Sequence, residues 1–255
     1  MPDALATALS QAVATPGLGW LVAATVVAGL VRGFSGFGTA MVYLPVAALF
    51  VDPVTALISL TMMDLLGPIP MLPRAWREAD RGDLGRLLLG AAVMLPVGLW
   101  LLLSVDPGVF RYAVSGLSLA MVACLLLGLR YAGRLSGAAV TGIGGAGGLL
   151  GGLAGLPGPP VILAYISGDR PPSAIRANTM LYLYGFEYLL LGTMFFYGVL
   201  ATAPVVLGLL LAVPYAAGNM AGAALFRPGA ERTYRAVAYA IIAASAIVGL
   251  PLWEG

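Results

Sequence analysis

The stretch VRGFSGFGTAMVYLP, residues 31–45, sets Ser35 between glycines in strongly apolar surroundings, with Arg32 just ahead of it. It reads as a nucleophile turn, a cofactor loop or a break in a membrane helix. A hydrolase elbow has the form GxSxG, and Phe37 stands where its last glycine belongs. The chain has no histidine, which removes Ser-His and Cys-His catalysis, histidine zinc sites and the usual haem ligation together. Gly142, Gly144 and Gly147 spell GxGxxG, but inside an apolar stretch with no strand before it, where a dinucleotide loop lacks its context. All thirteen basic residues are arginine, so no phosphate-loop lysine exists either. The sequence therefore predicts no enzyme, no cofactor and no metal, and leaves the broken membrane helix.

Composition agrees. Of 255 residues, 60% are hydrophobic and 9% charged, where a soluble domain carries roughly 25% charged residues. The mean hydropathy is +0.97, so the solvent for this apolar surface is the lipid bilayer. A net charge of +2 with no basic tail does not suit nucleic acid. The single cysteine, Cys124, lies in an apolar run as a small hydrophobe. The N-terminus has no basic n-region, so no cleaved signal peptide is expected.

Apolar runs long enough to cross a bilayer, about 20 residues each, fall at 55–73, 87–105, 112–129, 177–197, 205–226 and 236–253. Two further segments, 17–50 and 135–168, are too long for one crossing and carry glycine clusters in their middles. They also resemble each other. GFSGFG (33–38) aligns with GLAGLP (152–157), and PVTALISLTMMDLLG (53–67) aligns with PPSAIRANTMLYLYG (171–185) at an offset of 118, which also pairs Pro96 with Pro214. The chain reads as a duplication, residues 1–130 and 131–255.

Loop charge gives orientation, because cytoplasmic loops are rich in arginine. The segments 74–86, 130–134, 169–176 and 227–235 read as inside, whereas 51–54 and 197–204 carry no basic residue and read as outside. Equivalent loops of the two halves thus face opposite sides. The predicted fold is an all-α integral membrane protein of two inverted repeats, each a V-shaped re-entrant helical hairpin (17–50, 135–168) plus three transmembrane helices. Both termini are then extracytoplasmic, in the cell's plasma membrane. Legs of about 12–15 residues would let the two bends meet near the midplane, an architecture of secondary transporters.

These motifs resemble the sulfite exporter TauE/SafE family of membrane permeases. The likeness spans nearly the whole chain and rests on GFSGFGTAMVYLP and GLAGLPGPPVIL, each followed by an A-x-x-x-x-T span, Ala56 to Thr61 and Ala174 to Thr179. The resemblance implies a secondary transporter of a small sulfur-containing anion such as sulfite, sulfoacetate or a related sulfonate, working by alternating access. An anion channel and a non-transporting accessory protein are the alternatives.

The candidate site follows from both lines. Gly33, Gly36 and Gly38 in one half, with Gly155, Pro157 and Gly158 in the other, permit bends that leave backbone amides uncovered. The second legs begin near Thr39 and Pro159, and a helix N-terminus attracts anions. Arg32, expensive at membrane depth, offers a guanidinium to the small anionic substrate, and Ser35, Thr61, Asn178 and Thr179 offer neutral donors. Asp64 and Glu187, inside spans, are candidates for ion pairing or coupling. The stripe Gly144, Gly148, Gly152 reads as a helix-packing ladder. In a Cys124→Ala background, single cysteines at Val54 and Ala201 should label with an impermeant thiol reagent from outside intact cells, and one at Ser173 only after permeabilisation. Val54 and Ser173 labelling from the same side would contradict the inversion.

Overall fold

Two apolar runs are each cut by a glycine with positive φ. The computed structural model describes residues 2–65, 67–128, 136–165, 172–225 and 231–251. In it α2 (Leu18–Ser35) stops at Gly36, φ 81°, whose amide donates back to the Arg32 carbonyl at 2.8 Å. The second break has the same form: α8 (Gly137–Ala154) stops at Gly155, φ 66°, whose amide donates to the Gly151 carbonyl at 2.9 Å. A left-handed residue turns the chain out of the helix while satisfying its last carbonyls, and glycine takes that conformation without a Cβ clash. Helix α3 (Thr39–Ala47) then starts after Gly38, and α9 (Gly158–Tyr165) starts on Gly-Pro-Pro, whose fixed φ suits a first turn.

The expected hairpins are thus helix–break–helix units, with residues 166–168 outside the described part. The legs of the first are unequal, 18 and 9 residues, which corrects the expectation of 12–15 for each; in the second the first leg has 18 and the described part of the other 8. A first leg of about 27 Å nearly matches the hydrocarbon thickness, because the helix runs until its glycine and not to the midplane. The first hairpin does return to the end it entered, since the Phe50 ring lies directly against Gly17.

The other helices are α1 (Pro2–Val13), α4 (Pro53–Asp64), α5 (Leu72–Glu78), α6 (Arg81–Ser104), α7 (Pro107–Leu126), α10 (Pro172–Phe196), α11 (Thr202–Leu225) and α12 (Glu231–Gly249). The expected span 55–73 is not one helix. Helix α4 ends at Asp64, and a 3-10 turn at Ile69–Met71 leads into α5, because Pro68, Pro70 and Pro73 cannot continue an α-helical ladder. Among the described residues no strand occurs, and six helices are long and apolar enough to cross a bilayer: α2, α6, α7, α8, α10 and α11. Helix α12 covers 236–249 of the expected 236–253 span, whose residues 252–253 lie outside the described part, and Arg232 and Arg235 dilute its first turns. The loop readings at 130–134 and 227–230 lie outside the described residues.

The chain forms two compact units, residues 1–66, 106–122 and 200–255 in one, and 67–105 and 123–199 in the other. In the first, α2 packs along α11, and α4 and α3 join them with α1 and α12 outside. Its register rises in parallel: Gly29 meets the backbone at Tyr215, Gly33 meets Asn219 and Gly222, and Gly222 meets Leu30. In the second unit α6 packs along α8, again in parallel, with Gly144 on Leu87, Gly148 on Ala91 and Gly152 on Leu95. The ladder expected from these three glycines is a backbone-to-backbone seam. Neither unit is one of the sequence halves, since each takes helices from both. The repeat offset turns α2 with α11 into α8 with α6, so one packing pattern is used twice.

Parallel packing puts Gly17 and Thr202 at one end of the first unit, and Asp80 and Ser136 at one end of the second. Gly148→Leu forces a side chain into the Ala91 backbone and should abolish the monodisperse folded peak in detergent gel filtration. Gly142→Ala, with nothing near its Cβ direction, should leave that peak intact and gain a few tenths to about 1 kcal/mol of helix propensity.

Candidate functional site

Arg32 lies one turn before the first bend. It is about 21 Å along α2 from Leu18, and Asp64 is about 17 Å along α4 from Pro53, so both lie toward the far ends of their apolar helices. Arg32 Nη1 donates to Asp64 Oδ2 at 3.5 Å, with side chains only 21% and 16% exposed. Asp64 lies at the C-terminal end of α4, where the helix dipole disfavours a carboxylate, whereas Arg32 at the C-terminal end of α2 suits it. The carboxylate is therefore held from outside its own helix. Tyr215 of α11, 2% exposed, donates its hydroxyl to Asp64 Oδ1 at 2.6 Å, and Thr39 Oγ1 lies 3.1 Å from the same hydroxyl. The Tyr215 proton goes to the carboxylate, so Thr39 donates to Tyr215. Arg32, Asp64, Tyr215 and Thr39 form one chain of contacts that ends in the first turn of α3.

The α3 N-terminus has a glycine, Gly38, at its cap position and no side-chain cap. Nothing stands near the direction a Cβ would take at Gly36, so the bend is open on that face. Other expected residues serve the frame. Ser35 donates to the Val31 carbonyl at 2.6 Å and accepts from the Phe37 amide at 3.3 Å, tying the bend. Gly33 is not at the bend but on the seam with α11. Thr61 is buried in α4, and Ser59 beside it bonds Tyr43 at 2.8 Å.

The second unit differs at the equivalent positions. The partner of Arg32 is Gly151, and the Phe186 ring fills the space a side chain would take there. The partner of Asp64 is Tyr182, fully buried, its hydroxyl against Gly147 and its ring 6.4 Å from that of Phe186. Gly155, Pro157 and Gly158 form the bend, Gly155 capping α8 and Gly158 opening α9. Asn178 is buried and donates to the Asp80 carbonyl at 3.2 Å, fixing α10 to the start of α6, with Thr179 next to it. Glu187 lies farther along α10, half-buried. Among the candidates, then, Arg32, Thr39 and Asp64 are brought together. Tyr215 was not foreseen: its only signal is a hydroxyl-bearing aromatic next to Pro214 in an otherwise apolar span.

A chain whose described residues form only helices, six of them of bilayer length, with two broken helices and an ion pair beside one break, is a multi-pass membrane protein built as transporters are. The sequence model of the sulfite exporter TauE/SafE family matches residues 21–248, and the chain belongs to that family. It is thereby a membrane permease. No curated protein and no solved structure matches the chain.

The ion pair makes a stability prediction. Arg32→Gln leaves Asp64 as an uncompensated carboxylate, so it should lower the thermal midpoint in detergent more than the double variant Arg32→Gln/Asp64→Asn does. The expected coupling is about 1–2 kcal/mol. Additive single effects would show that the pair is not energetically joined.

Proposed function

We propose that the protein is a secondary transporter of a small sulfur oxyanion, sulfite or a sulfonate, and that the anion binds at the first bend between Arg32 and the first turn of α3. The observation that supports this reading is the chain of contacts from Arg32 through Asp64 and Tyr215 to Thr39, which links a guanidinium to a helix N-terminus without a side-chain cap. A helix N-terminus contributes about 0.3–1 kcal/mol toward an anion, up to about 2 kcal/mol when partly buried, too little to desolvate a sulfonate. A guanidinium, which presents paired planar donors to two oxygens, supplies the larger part.

Gly36 and Gly38 let the anion approach the backbone, and Thr39 offers a hydroxyl. The bend at Gly155, Pro157 and Gly158, with Thr179, is the counterpart in the second unit; with Gly151 and Tyr182 in place of Arg32 and Asp64, it supports the frame of that unit. Transport proceeds by alternating access in the plasma membrane, with both termini extracytoplasmic and the driving force an ion gradient or the substrate's own.

The test is uptake of sulfite and methanesulfonate into proteoliposomes. Saturable, mutually competitive uptake is expected. Arg32→Gln should cut it at least tenfold, Arg32→Lys should restore part of it, and Ser35→Ala should retain most of it. Arg81→Gln, whose side chain stacks on Trp76 outside the site, should behave as wild type. Uptake that never saturates would give a channel, and no uptake of either anion would overturn the reading.

A further inference from the structure

We propose that Asp64 is a resident counter-ion which the substrate anion replaces at Arg32, and that it leaves by taking up one proton, so that anion and proton bind together. This rests on the anion site proposed above. Two anionic groups cannot share one guanidinium in apolar surroundings without a second cation, and the side chains bonded to Asp64 among the described residues add none to Arg32. These are Arg32 from α2 and the Tyr215 hydroxyl from α11; the Thr39 hydroxyl of α3 reaches Tyr215, and Tyr43 of α3 is committed to Ser59.

The contacts are graded in a way that favours exchange. The Arg32–Asp64 contact is 3.5 Å, long against the 2.7–2.9 Å of a charge-assisted bond, whereas Tyr215 holds the other carboxylate oxygen at 2.6 Å. Asp64 therefore stays anchored through Tyr215 while Arg32 turns to another oxyanion.

The hydroxyl chain carries the same coupling. With Asp64 ionised, Tyr215 donates to it and Thr39 donates to Tyr215, so the Thr39 proton points away from the bend. With a proton from solution on Asp64 Oδ1, Asp64 donates to Tyr215, Tyr215 donates to Thr39, and the Thr39 proton is released toward an acceptor at the start of α3. One proton is gained at the carboxyl, the hydroxyls only rotate, and no other bond forms or breaks. A proton on Asp64 thus frees one donor from Arg32 and turns another at Thr39, both toward the anion. The second unit, with Gly151 and Tyr182 at the equivalent positions, holds no such pair there.

The experiment is calorimetric binding of methanesulfonate, which stays ionised throughout, and of sulfite to the purified full-length protein between pH 5 and 8, in buffers of different ionisation enthalpy. The expected result for methanesulfonate is close to one proton taken up per anion at the upper end of the range, with affinity falling about tenfold per pH unit there. Asp64→Asn should bind methanesulfonate with no proton uptake and with affinity independent of pH, and Tyr215→Phe should keep proton uptake while weakening its pH dependence less than Asp64→Asn does. Wild-type binding without proton uptake, which needs no variant to fold, would overturn this inference alone. Unchanged uptake in Asp64→Asn would do the same. Failure of both anions to bind wild-type protein would overturn the substrate reading and this inference with it.

Discussion

The Arg32 guanidinium lies in the last turn of an apolar helix with its side chain only 21% exposed, and its pairing with Asp64 is the interaction around which the first unit is organised. The pair needs α2 and α4 to end at the same depth, which the glycine stop at Gly36 and the proline-rich chain after Asp64 provide. It also needs α11 close enough for Tyr215 to reach the carboxylate. That closeness comes from Gly29, Gly33, Gly218 and Gly222, which let the α2 and α11 backbones touch. A larger residue on that seam would move Tyr215 away from Asp64. The packing glycines and the polar chain are therefore one device: the first sets the distance that the second uses.

The two units share a packing pattern but not its chemistry. Where the first has Arg32 and Asp64, the second has Gly151 filled by Phe186, and Tyr182. A duplicated frame tolerates this because the seams are made of backbone and small residues and do not depend on what projects from the other helix faces. At these equivalent positions the ion pair belongs to the first unit alone.

Much of the frame was legible because glycine and proline act locally. The breaks at 36–38 and 155–158, the ladder Gly144–Gly148–Gly152 and most helix positions follow from residues within a few places of each feature. The unequal legs were not legible, since a helix length depends on where its stop residue falls and not on the midplane of the membrane. The span expected at 55–73 failed because its apolar character outweighed three prolines in the reading. The pairing of Arg32 with Asp64 was half legible: both are charges in apolar runs, but their meeting depends on two helix ends 32 residues apart. Tyr215 was hidden because its partner is 151 residues away, and a tyrosine in a membrane span carries no local mark of its role.

The central claim is that an oxyanion sits on Arg32 at the start of α3. Selenite, the heavier analogue of sulfite, carries an anomalous scatterer, so an experimental structure with selenite bound tests the claim directly. The expected result is an anomalous peak beside Arg32 and Thr39, with the selenite oxygens accepting from the Arg32 guanidinium and the Thr39 hydroxyl, and Asp64 withdrawn from Arg32 and still bonded to Tyr215. A selenium peak elsewhere in the chain, with the Arg32–Asp64 pair intact, would contradict it.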